Sequence, residues 1–130
     1  PATAQEADTL KITEGTLVVH IERTRFADNE PIAVLTNLIP ADIAPTMQEL
    51  ESASLYDLMR ERGVTLASAR QIIGARSATT KEAKLLSEHR GAALLTSQRT
   101  TYDPSGRIVE CGNHIYRASR YSFEASLFAQ

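Results

Sequence analysis

The chain has 130 residues, of which 42% are hydrophobic and 23% charged, and its formal net charge is -2. This is the size and balance of one globular domain with its own core, and its negative charge argues against a stand-alone nucleic-acid grip built on a basic face. A single cysteine, Cys111, excludes an internal disulfide and fits a reducing cytoplasm, and no apolar run approaches the ~20 residues of a membrane span.

Residues 1–14 are small and polar, without a basic and then apolar targeting pattern. They read as the remnant of a linker, and residues 15–130 as the domain. Thr16 to Phe26 alternates and is rich in β-branched residues, so it predicts a strand. Asp28-Asn29 supplies turn chemistry, and Ile32 to Ile39 predicts the returning strand of a hairpin. From Asp42 to Glu51 the spacing of Ile43, Met47 and Leu50 predicts a helix. Ser54 opens a second helix with Leu55, Leu58 and Met59 as its apolar stripe, and Gly63 stops it. Thr65 to Arg76 reads as a third strand. Thr79 with Glu82 forms a capping box that opens a short helix ending near Gly91.

Ala92 to Tyr102 and Ile108 to Tyr116 predict a second hairpin around the Asp103-Pro104-Ser105-Gly106 turn. Tyr121 to Phe128 predicts a last strand. Hairpins dominate and no regular βαβ alternation occurs. The expected class is therefore α+β, a mainly antiparallel sheet with helices packed to one side.

Three groups could carry chemistry. Arg23 and Arg25 share the face of Leu17, Val19 and Ile21 by period-2 alternation. They are either a wet strand end or a cationic wall aimed into a pocket. Ser54 begins a helix, with Tyr56 two positions on; it is either an ordinary cap or part of an anion site. Glu110, His114 and Tyr116 share one face of the penultimate strand, opposite Cys111 and Ile115. They either meet a polar ligand or face solvent. No GxSxG, HExxH, GxxxxGKS/T or GxGxxG motif is present, so no catalytic constellation, metal site or cofactor is expected. His20 and His89 are scattered, and Cys111 reads as a small buried apolar residue.

Three stretches together resemble a known family. The C-terminal third carries Arg99, Tyr102, Asp103, Gly106, Val109, Glu110, Tyr116, Arg117, Tyr121 and Phe123 at the spacing of the end of UTRA domains. The first hairpin resembles that family's R-x-R followed by E-P-I-A, here Arg23, Arg25, Glu30 and Pro31. Ser54, Leu55 and Tyr56 resemble its S-L-Y helix start. The likeness runs from Leu17 to Leu127.

The resemblance implies a chorismate-lyase-like fold and a role as effector-binding and dimerising half of GntR-type bacterial regulators of the HutC branch. In those proteins an N-terminal winged helix-turn-helix, absent from these residues, binds the DNA. It further implies a homodimer and a small-molecule effector, a sugar phosphate or a small carboxylic acid. The implied effector-binding residues are Arg23, Arg25, Ser54, Tyr56, Glu110 and Tyr116, with Arg99, Tyr102 and His114 as further candidates. Family members that bind amino-sugar phosphates carry an acid just after E-P-I-A; here Val34, Leu35, Thr36 and Asn37 offer none, which argues against a cationic effector. The alternative on the same fold is an enzyme of the chorismate-lyase type.

Overall fold

In a computed structural model of the chain, residues 1–121 are described. Within them one sheet contains β1 (Val18–Ala27), β2 (Glu30–Pro40), β3 (Ser68–Ser77), β4 (Ala93–Tyr102) and β5 (Ile108–Arg117). Their order is β1-β2-β5-β4-β3, with every neighbouring pair antiparallel. The α+β class and the two hairpins stand as the sequence predicts. The last strand expected over Tyr121 to Phe128 falls, apart from Tyr121 itself, outside the described residues.

The first hairpin is closed by Asp28 and Asn29, both left-handed at φ 51° and 65°. A two-residue loop with both φ positive matches the right-handed twist of the strands it joins. A register shift between Arg25 and Phe26 bends β1 at its end, and Phe26 is left exposed. The second turn is held by the Asp103 carboxylate, which accepts from the Ser105 and Arg107 amides at 2.9 and 3.0 Å.

Among the described residues four α-helices flank the sheet: α1 (Ala4–Leu10), α2 (Met47–Leu50), α3 (Leu55–Glu61) and α4 (Thr80–Leu85). They divide between its two faces rather than gathering on one. On the first face Leu55 and Met59 of α3 pack with Ile43 over Ile21, Ile39 and Val109. On the second, Ala83 and Leu86 pack over Val34, Leu94 and Ile115, while Leu10 of α1 packs over Leu38, Ile108 and Cys111. Burial of side chains such as Leu55 and Met59 stabilises the fold by about 1.5–3 kcal/mol each. The cysteine is thus a small core residue, as its surroundings in sequence imply.

Two expectations change. Residues 1–14, read as a linker, contribute α1. Thr3 and Glu6 form a reciprocal capping box at its start, and Leu10 is 2% exposed at its end. The capping box lies in the polar stretch, where composition alone reads as loop. The helix predicted over Asp42 to Glu51 is instead a 3-10 turn, Ala41–Ile43, followed by the single turn of α2. Pro45 is the reason: it drives Ala44 to extended backbone at φ -81°, ψ 136° and breaks the run.

Candidate functional site

Strand parity places Arg23 and Arg25 of β1, Leu35 and Asn37 of β2, and His114 of β5 on the same face, since Arg23 pairs with Leu35 and Leu35 with His114. The start of α3 closes over this face. The result is a cavity of about 350 Å³ lined by Arg23, Arg25, Leu35, Asn37, Tyr56 and His114, with Thr24, Ser54 and Leu55 completing its wall. Among the described residues no carboxylate lines it.

Beneath the lining lies a buried polar network. Glu110 is fully buried, yet its carboxylate accepts hydrogen bonds from Asn37 Nδ2 at 2.8 Å, Thr101 Oγ1 at 2.9 Å and Tyr56 Oη at 3.4 Å. Burial raises the Glu110 carboxyl above its ordinary range, against the lowering effect of Thr101, Asn37, Arg99 and Tyr56. Tyr56 is raised in turn by its own burial and then by Glu110. Arg23 Nη2 donates to Asn37 Oδ1 at 3.4 Å, which joins the cationic wall to this network. The Arg99 guanidinium lies over the Tyr56 ring, 5.1 Å from its centre, a cation–π contact that ties β4 to α3.

Several buried polar nitrogens are left over. Arg23 Nε, Arg99 Nε and His114 Nε2 have no hydrogen-bond partner among the described residues. Buried polar atoms are ordinarily paired, so unspent donors beside a cavity point to an acceptor that enters it. His114 is held below its usual range by burial first, and then by Arg23, Arg99 and Arg25. An arrangement of this kind stabilises an anion: guanidinium groups fork onto planar or tetrahedral oxyanions, and the described lining supplies no competing carboxylate.

The expected site residues divide accordingly. Arg23, Arg25, Tyr56 and His114 meet at the cavity. Ser54 also lines it, but its hydroxyl accepts the Asp57 amide hydrogen at 3.3 Å and so serves as the cap of its own seven-residue helix. Glu110 stands one contact behind the lining and reaches the cavity only through Asn37 and Tyr56. Tyr116 lines a smaller neighbouring cavity of about 50 Å³ and approaches the site through His114 Nδ1, 3.3 Å from its hydroxyl. Arg99 backs Tyr56.

Tyr102 is not at the site. It lies three positions from Arg99 on one strand, an odd separation that puts it on the opposite face, where it packs with Leu10, Leu38 and Ile108. Sequence reasoning passed over Asn37, Thr101 and Gly112. Asn37 left a trace: it is a lone amide between Leu35 and Ile39 at inward positions of an apolar strand.

The pattern of the UTRA domain matches residues 1–122. The chain belongs to the UTRA domain family. This UTRA domain is 34% identical over 105 residues to the HTH-type transcriptional repressor NagR of Bacillus subtilis (strain 168), covering 79% of the chain and 43% of that protein. It is 28% identical over 126 residues to the HTH-type transcriptional repressor PhnF of Mycolicibacterium smegmatis, covering 95% of the chain and 52% of that protein. The chain thus spans about half the length of the curated relatives it matches. Its fold superposes on a putative transcriptional regulator from Streptomyces coelicolor with a TM-score of 0.94 at 50% identity, covering 100% of this chain and 87% of that one. It also superposes on the ligand-binding domain of a putative GntR-family regulator from Bordetella bronchiseptica, with a TM-score of 0.86 at 27% identity over 98% and 83% of the two chains. The UTRA domain is therefore homologous to the effector-binding part of GntR-family regulators and shares their chorismate-lyase-like fold.

Proposed function

We propose that this UTRA domain is the ligand-sensing half of a GntR-type transcription regulator of the cytoplasm, and that its cavity binds a small anionic metabolite. The observation that carries the reading is the convergence of Arg23, Arg25 and His114 on a space with no carboxylate among its described lining residues. Sugar phosphates and small carboxylic acids fit that chemistry. The names of the relatives, transcriptional repressors and GntR-family regulators, support a regulatory role over a catalytic one.

Regulation then requires that the metabolite bind one arrangement of the protein better than another. Coupling of that type is worth about 1–3 kcal/mol, enough to change the DNA affinity of an attached helix-turn-helix. We read the domain as pairing with a second copy of itself, which sedimentation at high micromolar concentration checks. By itself the domain does not hold a specific duplex, because DNA recognition belongs to the N-terminal part.

A thermal-shift screen of phosphorylated sugars and small carboxylic acids tests the reading, since a ligand bound only by the folded state raises the melting temperature. Stabilisation by an anion in the native chain, lost in Arg25→Ala, is the expected result. Turnover of chorismate by the chain would overturn it in favour of an enzyme.

A further inference from the structure

One imidazole sits among the cations of the cavity. His114 stands in β5 between its register partners Leu35 of β2 and Ser97 of β4. Its Nδ1 meets the Tyr116 hydroxyl, and its Nε2 is buried with no partner among the described residues. The groups facing it are Arg23 and Arg25 from β1, Asn37 from β2, Arg99 from β4, and Tyr116 and Glu110 from its own strand. Beside the ring the wall is bare backbone: a Cβ on Gly112 would stand 3.0 Å from His114 Nε2 and 2.9 Å from Glu110 Oε1.

We propose that His114 takes up a proton when a dianionic oxyanion enters the cavity, so that the anion is held by the imidazolium together with the arginines. The inference rests on the anion-binding reading of the cavity and adds the charge it selects.

The argument is electrostatic. In the empty cavity a positive imidazole is opposed by burial and by three guanidinium groups, and the nearest carboxylate, Glu110, already accepts from Asn37, Thr101 and Tyr56. An entering dianion in contact with the ring offsets most of that positive charge. It also offers an acceptor to Nε2: in the imidazolium both ring nitrogens donate, Nε2 to the anion and Nδ1 to the Tyr116 hydroxyl oxygen. The proton comes from solvent, and no bond to carbon is made or broken. A monoanion offsets less of it. Linkage fixes the direction: a group that holds its proton more tightly in the complex makes binding stronger as pH falls.

Sulfate is the probe, because it stays a dianion from neutral to mildly acid pH and does not titrate itself. The His114 ring is followed by NMR through its Cε1–H resonance, assigned by its absence in His114→Gln, with sodium chloride at matched ionic strength as control. The free titration midpoint is expected below 6.5. With saturating sulfate it should rise by about one pH unit or more, which corresponds to about tenfold stronger sulfate binding at acid than at alkaline pH. In His114→Gln that pH dependence should flatten. If sulfate perturbs the cavity resonances while the His114 midpoint stays put, or if His114→Gln keeps the full pH dependence, the proton-uptake role is wrong and the anion cavity stands. If sulfate at tens of millimolar perturbs no cavity resonance, both fall together.

Discussion

Asn37 and Glu110 meet at the base of the cavity, amide nitrogen to Oε1 at 2.8 Å, and the other end of the same amide takes Arg23. One side chain thereby holds a buried carboxylate and orients a cation of the site. Its amide is the point where the support of the fold and the binding surface become the same structure.

Replacing Asn37 with leucine removes a donor from a buried charged acceptor. A hydrogen bond to a charged group contributes about 1.5–3 kcal/mol, so Asn37→Leu should lose that much in urea unfolding, and it should also weaken anion binding by freeing Arg23. A variant as stable as the parent would show that Glu110 finds another donor and that the network is dispensable.

Glu110 gives the domain a distinctive pH response. Its folded carboxyl is raised above the ordinary value of 4.5, so the native state holds this proton more tightly than the unfolded chain. The stability it contributes is fully present below pH 4.5 and is lost as pH rises through the folded value. Glu110→Gln carries no such titration. The unfolding free energy of the native chain should therefore fall relative to Glu110→Gln as pH is raised from 4.5 towards 8, and parallel curves would rule this out.

Two arginines separate binding from support. Arg25 is exposed at the cavity, whereas Arg117 is 7% exposed and donates to Glu88 Oε1 at 2.9 and 2.7 Å and to the Pro31 carbonyl at 2.9 Å. Arg25→Ala should cost anion affinity about ten- to a hundredfold and leave the melting temperature nearly unchanged. Arg117→Ala leaves the Glu88 carboxylate with only the Ser119 hydroxyl to donate to it among the described residues and should destabilise by about 1.5–3 kcal/mol. Calorimetry and thermal melts on both variants would reveal an error in this division if Arg25→Ala proved the less stable of the two.

Gly112 is needed for its missing side chain. A methyl group there would press on Glu110 Oε1 and His114 Nε2 at once, neither of which is the loose end of a free side chain. Gly112→Ala should cost about 1–3 kcal/mol and shift the His114 resonance even without ligand. Unchanged stability and an unmoved resonance would mean that the cavity floor is slack.

The strands were legible because β-branched alternation and turn residues agree at each step from Thr16 to Phe26 and from Ala92 to Tyr116. The arginine face followed from parity alone. Helix α1 was not legible, since its few apolar residues, such as Ala7 and Leu10, are buried only by partners distant in sequence, Cys111 among them. The depth of Glu110 was hidden for the same reason: parity names a face but says nothing of what covers it. Whether Glu110 lines the cavity or underlies it depends on Tyr56, 54 positions away on α3.

The edge strand β3 has a bearing on handling the protein. All ten of its residues are exposed, and Ile72 and Ile73 stand 50% and 42% open to solvent. Among the described residues β3 ends the sheet, and an edge with adjacent isoleucines is the kind of segment that recruits further strands and seeds aggregates. Arg70 stands two positions before that pair, the gatekeeper placement that discourages stacking, whereas Arg76 is engaged by the Glu82 carboxylate. Neutralising Arg70 should lower solubility before it affects folding, so fibril growth, rather than a melting curve, is the place where that residue would declare its purpose.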